Sequence, residues 1–137
     1  MQKSILSFAM VFILCIFVSA CGKSEVDMAR DNSMVNADIV TAKQIGMIVE
    51  VAIEEDSKIK EQISNVYKKC SDVDGLIEKF LAGDDKPLSL ENGEYYIKLE
   101  DNLVNVAIAT SEEEANKIKE PAAYDGSKAG IAYISQQ

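Results

Sequence analysis

Cysteines and carboxylates are the side chains of this sequence that could do chemistry. The chain carries three cysteines, 23 acidic and 14 basic side chains, and no histidine. Without histidine the commonest general base and the commonest metal ligand are both missing, and a Cys–His pair is impossible. Serines and lysines form no recognisable nucleophile arrangement either. We therefore expect no catalytic residues, no metal site and no cofactor.

The three cysteines have different surroundings. Cys15 lies inside an apolar run, Cys21 closes that run, and Cys70 follows Lys68 and Lys69. The two lysines suggest the electropositive niche that a reactive thiol needs. We favour a plainer interpretation, in which Cys70 is a small, half-buried apolar side chain on a helix face. An intermolecular disulfide through Cys70 is a minor alternative.

Residues 1–20 have the composition of a secretory signal sequence. Lys3 supplies a positive start, and residues 5–18 form an apolar run that is too short to span a membrane comfortably. The run ends in Val18-Ser19-Ala20-Cys21. This ending resembles the lipobox of bacterial lipoproteins, which is an aliphatic residue, two small residues and a cysteine.

The lipobox resemblance implies how the chain is processed and where it is held. It implies cleavage between Ala20 and Cys21, diacylglycerol on the Cys21 thiol, and acylation, as by palmitate, of the new amino group. Residues 21–26 would then be a lipidated tether, and 27–137 a single domain at the cell membrane, facing outside the cytoplasm. The alternative is a plain signal anchor in which Cys21 is incidental.

The charge of the chain beyond residue 20 bears on its partners. Lys3 is the one basic residue of the first 20, so the remainder carries 13 basic and 23 acidic side chains, a formal charge of −10. Such a domain is repelled by nucleic-acid phosphates and by anionic headgroups. We expect no nucleic-acid partner, and we expect the lipid on Cys21, rather than the protein surface, to hold the chain at the membrane.

Helical periodicity dominates the first half of the domain. A long helix is predicted over 27–55, because one apolar stripe steps by three or four residues. The stripe consists of Val35, Ile39, Ala42, Ile45, Val49, Ala52 and Ile53. Gly46 within it indicates close packing against another element. A second helix is predicted over 57–69, and a short one over 72–83 with Asp72 as its cap and Gly83 at its end.

Alternation with period two replaces helical periodicity later in the chain. It predicts strands over 94–99, 103–109 and 129–135, with a tight hairpin between the first two. Ser111 has the capping spacing that opens a short helix. The fold class is therefore α+β: a long helix packed on an antiparallel sheet of about three strands, with short helices between. The candidate sheet residues to meet the stripe are Tyr96, Leu99, Val104 and Val106, with the facing residue of each strand left open by one register step.

One segment resembles a known family. Residues 29–31, 37–46 and 49–52 are similar to the soluble half of the long helix of type IV pilins and pseudopilins. The resemblance implies that this helix lies across a small antiparallel sheet. The pilin leader motif and the apolar half of the helix are replaced here by the lipobox, so no functional residue is carried over.

The remaining candidate groups have structural explanations that we prefer. Three acidic clusters, at 54–56, 84–85 and 112–114, lack the spacing of a calcium loop and fit solvated turns and helix ends. Four tyrosines could form a ligand platform but are more often core residues: Tyr95, Tyr96, Tyr124 and Tyr133.

Two functions follow from these observations. The first is a non-catalytic, lipid-anchored extracytoplasmic protein that contacts another macromolecule, with a protein partner at the cell surface. The alternative is a lipoprotein that captures a small ligand or substrate, which a deep pocket with convergent polar groups would favour.

Overall fold

The structure is a computed structural model that describes residues 25–119 and 122–136, with the side chains of its first helix from Arg30 onward. The predicted signal sequence and the lipid site at Ala20 and Cys21 lie outside these residues. All packing described below lies in the unit that begins at Asp31. Its architecture is α+β, as predicted from the hydrophobic pattern.

Two helices open the described chain. Helix α1 spans Glu25–Glu55, which confirms the predicted long helix, and α2 spans Ser57–Gln62. Asp56 separates them, because its carboxylate accepts a hydrogen bond from the Lys58 amide at 3.0 Å and caps α2.

The prediction that the second helix continues to Lys69 is wrong. Ile63, which follows α2, is extended, the chain bends at residues 65 and 66, and Lys68–Lys69 form a two-residue strand, β1, that pairs with Ile97 and Tyr96. Pairing with the sheet outweighs local helix propensity here, because propensity is worth only tenths of a kcal/mol per residue.

The prediction of one capped helix over 72–83 is also wrong. A short 3-10 helix spans Cys70–Asp72, and helix α3 spans only Leu76–Lys79. Gly75, with φ of 84°, is the N-cap of α3 in place of Asp72. Its left-handed conformation interrupts the helical path, and glycine adopts this conformation without steric cost.

The sheet is antiparallel, with strand order β1-β2-β3-β4. Strands β2, β3 and β4 span Glu94–Glu100, Leu103–Ala109 and Gly130–Ile134. Asp101 and Asn102 join β2 to β3 with φ of 53° and 62°, the double left-handed turn that matches strand twist. The short strand β1 was not among the three strands that the sequence predicted.

Helix α4, Glu112–Asn116, follows β3, and Ser111 is its N-cap, as predicted. The Ser111 hydroxyl accepts a hydrogen bond from the Glu114 amide at 3.1 Å. The Glu114 carboxylate reaches back to Thr110, accepting from its amide and its hydroxyl at 2.6 Å each. The hydroxyl bond is the main reason why the pKa of Glu114 is lowered.

The sheet has two differently covered faces. Its helix side packs against the stripe of α1 in one core that contains Ala42, Ile45, Val49, Ala52, Tyr95, Ile97, Val104, Val106 and Ile108. Its back side forms a second, smaller cluster that contains Tyr67, Tyr96, Ala107, Ala109 and Ala115. The predicted contacts of the stripe with Val104 and Val106 are confirmed, and Leu99 is partly buried against the same core.

Tyr96 is the one predicted sheet partner that is wrong. It lies on the back side, and its neighbour Tyr95 takes the place on the helix side. Successive residues of a strand point to opposite faces, so an error of one residue moves a side chain across the sheet.

Gly46 lies where α1 crosses β4. It is buried, and a Cβ on it would collide with the ring of Tyr133. The register of β3 with β4 shifts between Val106 and Ala107. Both Ala132 and Tyr133 pack against the helix-side core as a result. This close approach is the packing that Gly46 predicted.

Candidate functional site

The structure places Cys70 in the core. Its side chain is buried in the helix-side cluster, and burial, reinforced by the charges of Asp84 and Glu94, raises the pKa of the thiol to about 12. Lys69 points its charge at Glu94, at 3.1 Å, rather than at the thiol. A thiol held in this state is a poor nucleophile, because only the thiolate reacts.

The four tyrosines do not form a platform. Tyr95 and Tyr124 belong to the helix-side core, Tyr96 to the back-side cluster, and Tyr133 lies over Gly46. Burial is the main cause that raises the pKa of Tyr95. Their role is packing on both faces of the sheet.

The acidic clusters lie at the ends of helices and in a loop, where they are solvated or paired with lysine. Asp56 pairs with Lys79 at 3.0 Å, and this hydrogen bond is the main reason why the pKa of Asp56 is lowered. Asp84 pairs with Lys86 at 3.1 Å, and residues 112–114 form the first turn of α4. Within the described ranges no group of three or more acidic or cysteine side chains is arranged to hold a metal.

Asp38 is a buried carboxylate that sequence reasoning missed as a functional group. Its side chain accepts hydrogen bonds from the amides of Leu88 and Ser89, each at 2.8 Å, and from the Ser89 hydroxyl. Ser89 in turn shares a hydrogen bond of 2.6 Å with the hydroxyl of Tyr124. These hydrogen bonds hold the loop between α3 and β2 against α1. No lysine or arginine of the described chain pairs with Asp38.

A signal for Asp38 was present in the sequence. It lies three residues after Val35 and four before Ala42, so helical spacing puts a carboxylate inside the apolar stripe. A charged group in that position must be satisfied by hydrogen bonds when it is buried. Its donors, at 88 and 89, are about fifty positions further along the chain, and only the fold shows them.

The side of α1 that points away from the sheet is also apolar. Val40, Met47 and Val51 are 55%, 51% and 48% exposed, and Gln44 is exposed between them. At 3.6 residues per turn these four side chains form one line, roughly 180° from the buried stripe. We call these four residues the outer face of α1.

Charged and apolar side chains flank the outer face. Lys43 and Glu50 lie along one flank, one heptad apart, and neither forms an ion pair with another described residue. Thr41 and Ile48 lie along the other flank. There they reach the mouth of a cavity of about 110 Å³ whose walls include Cys70 and Tyr95. Pockets for drug-sized ligands start at about 300 Å³. This cavity is too small to enclose such a ligand and forms a shallow depression beside the outer face.

An open groove lies on the back side of the sheet, beside the turn between β2 and β3. Its volume is about 430 Å³, and it is lined by Lys98, Glu100, Asp101, Leu103, Asn105 and Ile134. Lys98 pairs with Glu100 at 2.7 Å and lies 4.9 Å from the centre of the Tyr67 ring. Asn105 is 4% exposed, and its side-chain oxygen accepts no hydrogen bond from the described residues.

Comparisons with known proteins give no relative from which a function could be inferred. No protein-family model, no curated protein and no solved structure matches this chain. The resemblance to type IV pilins is therefore not confirmed. Between residues 25 and 136, leaving aside 120 and 121, no helix has the length and apolar character needed to cross a membrane.

Proposed function

We propose that this protein is a lipid-anchored, extracytoplasmic protein that binds another protein through the outer face of α1 and does not catalyse a reaction. One observation carries the proposal: α1 is apolar on two opposite sides, and the described part of its domain covers only one of them. Single exposed apolar residues are normal on protein surfaces. Three in one line along a helix form a patch, and such patches are typical of contact sites.

The anchor is supported by the chain before the described domain. The four lipobox residues 18–21 match the pattern in type and order. Two or more acyl chains give stable membrane residence, at roughly 0.8 kcal/mol per buried methylene. The acidic domain itself is repelled by anionic headgroups, so it stands off the membrane and leaves α1 accessible to a partner.

Crosslinking on intact cells tests the contact. A photo-reactive amino acid at Met47 of the full-length chain should yield a discrete crosslinked product. The same probe at Glu78, an exposed residue on α3, should yield little. Equal yields at both positions, or no product at Met47, would contradict the proposed contact.

Processing tests the anchor independently. Cells fed a labelled fatty acid should label the protein, and Cys21→Ser should abolish both the label and the cleavage. Cys15→Ser is the matched control and should change neither. If Cys21→Ser is cleaved and retained at the membrane as usual, the lipoprotein assignment is wrong.

Small-ligand capture is the second candidate function, and the buried oxygen of Asn105 is the observation that favours it. Beside Glu100 and Asp101, that oxygen would accept a hydrogen bond from an amine. A panel of small amines, measured by the shift in melting temperature of the full-length protein in detergent, tests it. A shift that is lost in Asn105→Leu would support ligand capture, and no shift across the panel would remove it.

A further inference from the structure

We infer that the partner of the outer face is a second copy of this chain, bound in antiparallel orientation; this inference rests on the proposed function. The four residues of the outer face are spaced four, three and four apart. This is the spacing of the seam of a two-stranded coiled coil. A surface that carries its own complement makes a closed, two-fold contact between identical chains.

The antiparallel pairing matches residues across the seam. A two-fold axis level with Ile45 and Gly46 places Val40 opposite Val51 of the second copy, once at each end of the contact. Between these ends, Gln44 lies opposite Met47 of the second copy. All four layers then cover side chains that are exposed in the single chain. The flexible thioether of methionine fits well beside the amide stem of glutamine.

Charge complementarity selects the antiparallel orientation. Lys43 and Glu50 occupy equivalent flanking positions in successive heptads, so the two-fold axis brings Lys43 beside Glu50 of the second copy, twice. A parallel pairing would place Glu50 beside Glu55 of the second copy, a like-charge contact, and Lys43 beside Ile48. Neither Lys43 nor Glu50 has an ion-pair partner among the described residues. Lys43 is exposed, and Glu50 is half-buried near Tyr133, whose pKa its charge helps to raise.

The anchor makes a small contact sufficient. The seam has only four layers of side chains. It therefore buries a smaller area than a tightly bound dimer in solution usually requires. Copies that are held by lipid on one membrane meet at a raised effective concentration, because the anchor removes much of the cost of bringing them together. The short contact is therefore expected to form on the membrane and to weaken in dilute detergent.

Mixed cysteine crosslinking tests the register. A full-length Val40→Cys chain and a full-length Val51→Cys chain, carrying different tags, are expressed together and oxidised on intact cells. We expect disulfides between the unlike chains and few between like chains, because two copies of position 40 lie about 16 Å apart along the seam. The parent chain supplies the background control, since Cys70 is buried and Cys21 carries lipid.

Charge reversal tests the complementarity. Lys43→Glu should lower the yield of unlike-chain disulfides about tenfold, because two attractive pairs become two repulsive ones. Adding Glu50→Lys to the same chain should restore the yield, since the reversed pair is again complementary. A merely structural effect of Lys43→Glu would not be rescued by the second change.

The outcomes separate this inference from the proposed function. Unlike-chain disulfides with charge rescue support the antiparallel pair. Like-chain disulfides at both positions overturn the orientation, and a Met47 photo-crosslink to a different protein overturns the second copy while keeping the proposed contact. If neither crosslinking experiment gives a product, both the inference and the proposed function are wrong.

Discussion

The two sides of α1 carry similar apolar side chains in very different surroundings. On the sheet side, Ala42, Val49 and Ala52 are fully buried, whereas on the outer face Val40 and Met47 are about half exposed. Full burial of a side chain as large as that of Val49 stabilises the fold by roughly 1.5–3 kcal/mol, and burial of an alanine methyl group by less. The outer residues contribute little to folding, and the contact that we propose outside the domain would account for their apolar character.

This contrast shows what hydrophobic periodicity measures. It detects apolar positions on a helix, but it does not say which of two apolar sides faces the domain core. On α1 the polar group Asp38 lies on the buried side, and the exposed side is the one that no other described residue covers. Substitutions at Ile45, Asp38, Gly46 and Cys70, each in the buried part of the domain, test the packing side of this contrast.

Ile45→Asp should have the largest effect. It places a charge without a partner in the helix-side core and should unfold the domain, at a cost of several kcal/mol. Val40→Asp makes the same chemical change on the outer face and should alter the free energy of unfolding by about 0.5 kcal/mol or less. Lys43→Asp is a second control. Urea unfolding followed by circular dichroism measures all three, and equal losses for Ile45→Asp and Val40→Asp would refute the contrast.

Asp38→Ala should have the next largest effect. It leaves the amides of Leu88 and Ser89 without their acceptor, at a cost of about 2–3 kcal/mol. Asp125→Ala is the matched control, because Asp125 is exposed and its carboxylate accepts hydrogen bonds from Ser127 within its own turn. Protease cleavage near residue 88 should rise in Asp38→Ala alone. Unchanged cleavage there would show that the carboxylate does not hold this segment.

Gly46→Ala should destabilise the domain by about 1–3 kcal/mol, because the new methyl group meets the ring of Tyr133. Tyr133→Ala in the same chain makes room for that methyl group. Gly46→Ala should therefore cost less in the Tyr133→Ala background than in the parent. A double-mutant cycle from thermal unfolding measures the difference, and additive effects would mean that the two residues do not pack together.

Cys70→Ser should have the smallest effect, a loss of about 1 kcal/mol or less, since only a small core side chain changes. The burial that raises the pKa of the Cys70 thiol to about 12 also predicts slow alkylation of the folded protein at pH 8. Mass spectrometry with iodoacetamide should show rapid modification only above the denaturation midpoint in urea. Rapid modification of the folded chain would place Cys70 at the surface.

The N-cap of α4 and the Asp38 network differ in how far apart along the chain their hydrogen-bonding partners lie. The cap of α4 by Ser111 is encoded within four residues, and the structure confirms it. The partners of Asp38 lie fifty positions away, and no local pattern points to them. A cap is satisfied by the backbone of its own helix, whereas a buried carboxylate takes whatever donors the fold brings to it.

The sequence by itself determined the long helix, the β2–β3 hairpin, the packing role of Gly46 and the α+β class. Each of these follows from the hydrophobic periodicity of a segment, from its turn residues, or from a glycine within a helix, all of which can be read from neighbouring residues. The tertiary structure alone decided the short β1, the breaks within residues 63–83, the place of Tyr95 in the core and the burial of Asp38. It also decided that α1 keeps one apolar side exposed, because exposure depends on which elements the whole chain packs against a surface, and local spacing is the same on both sides of the helix.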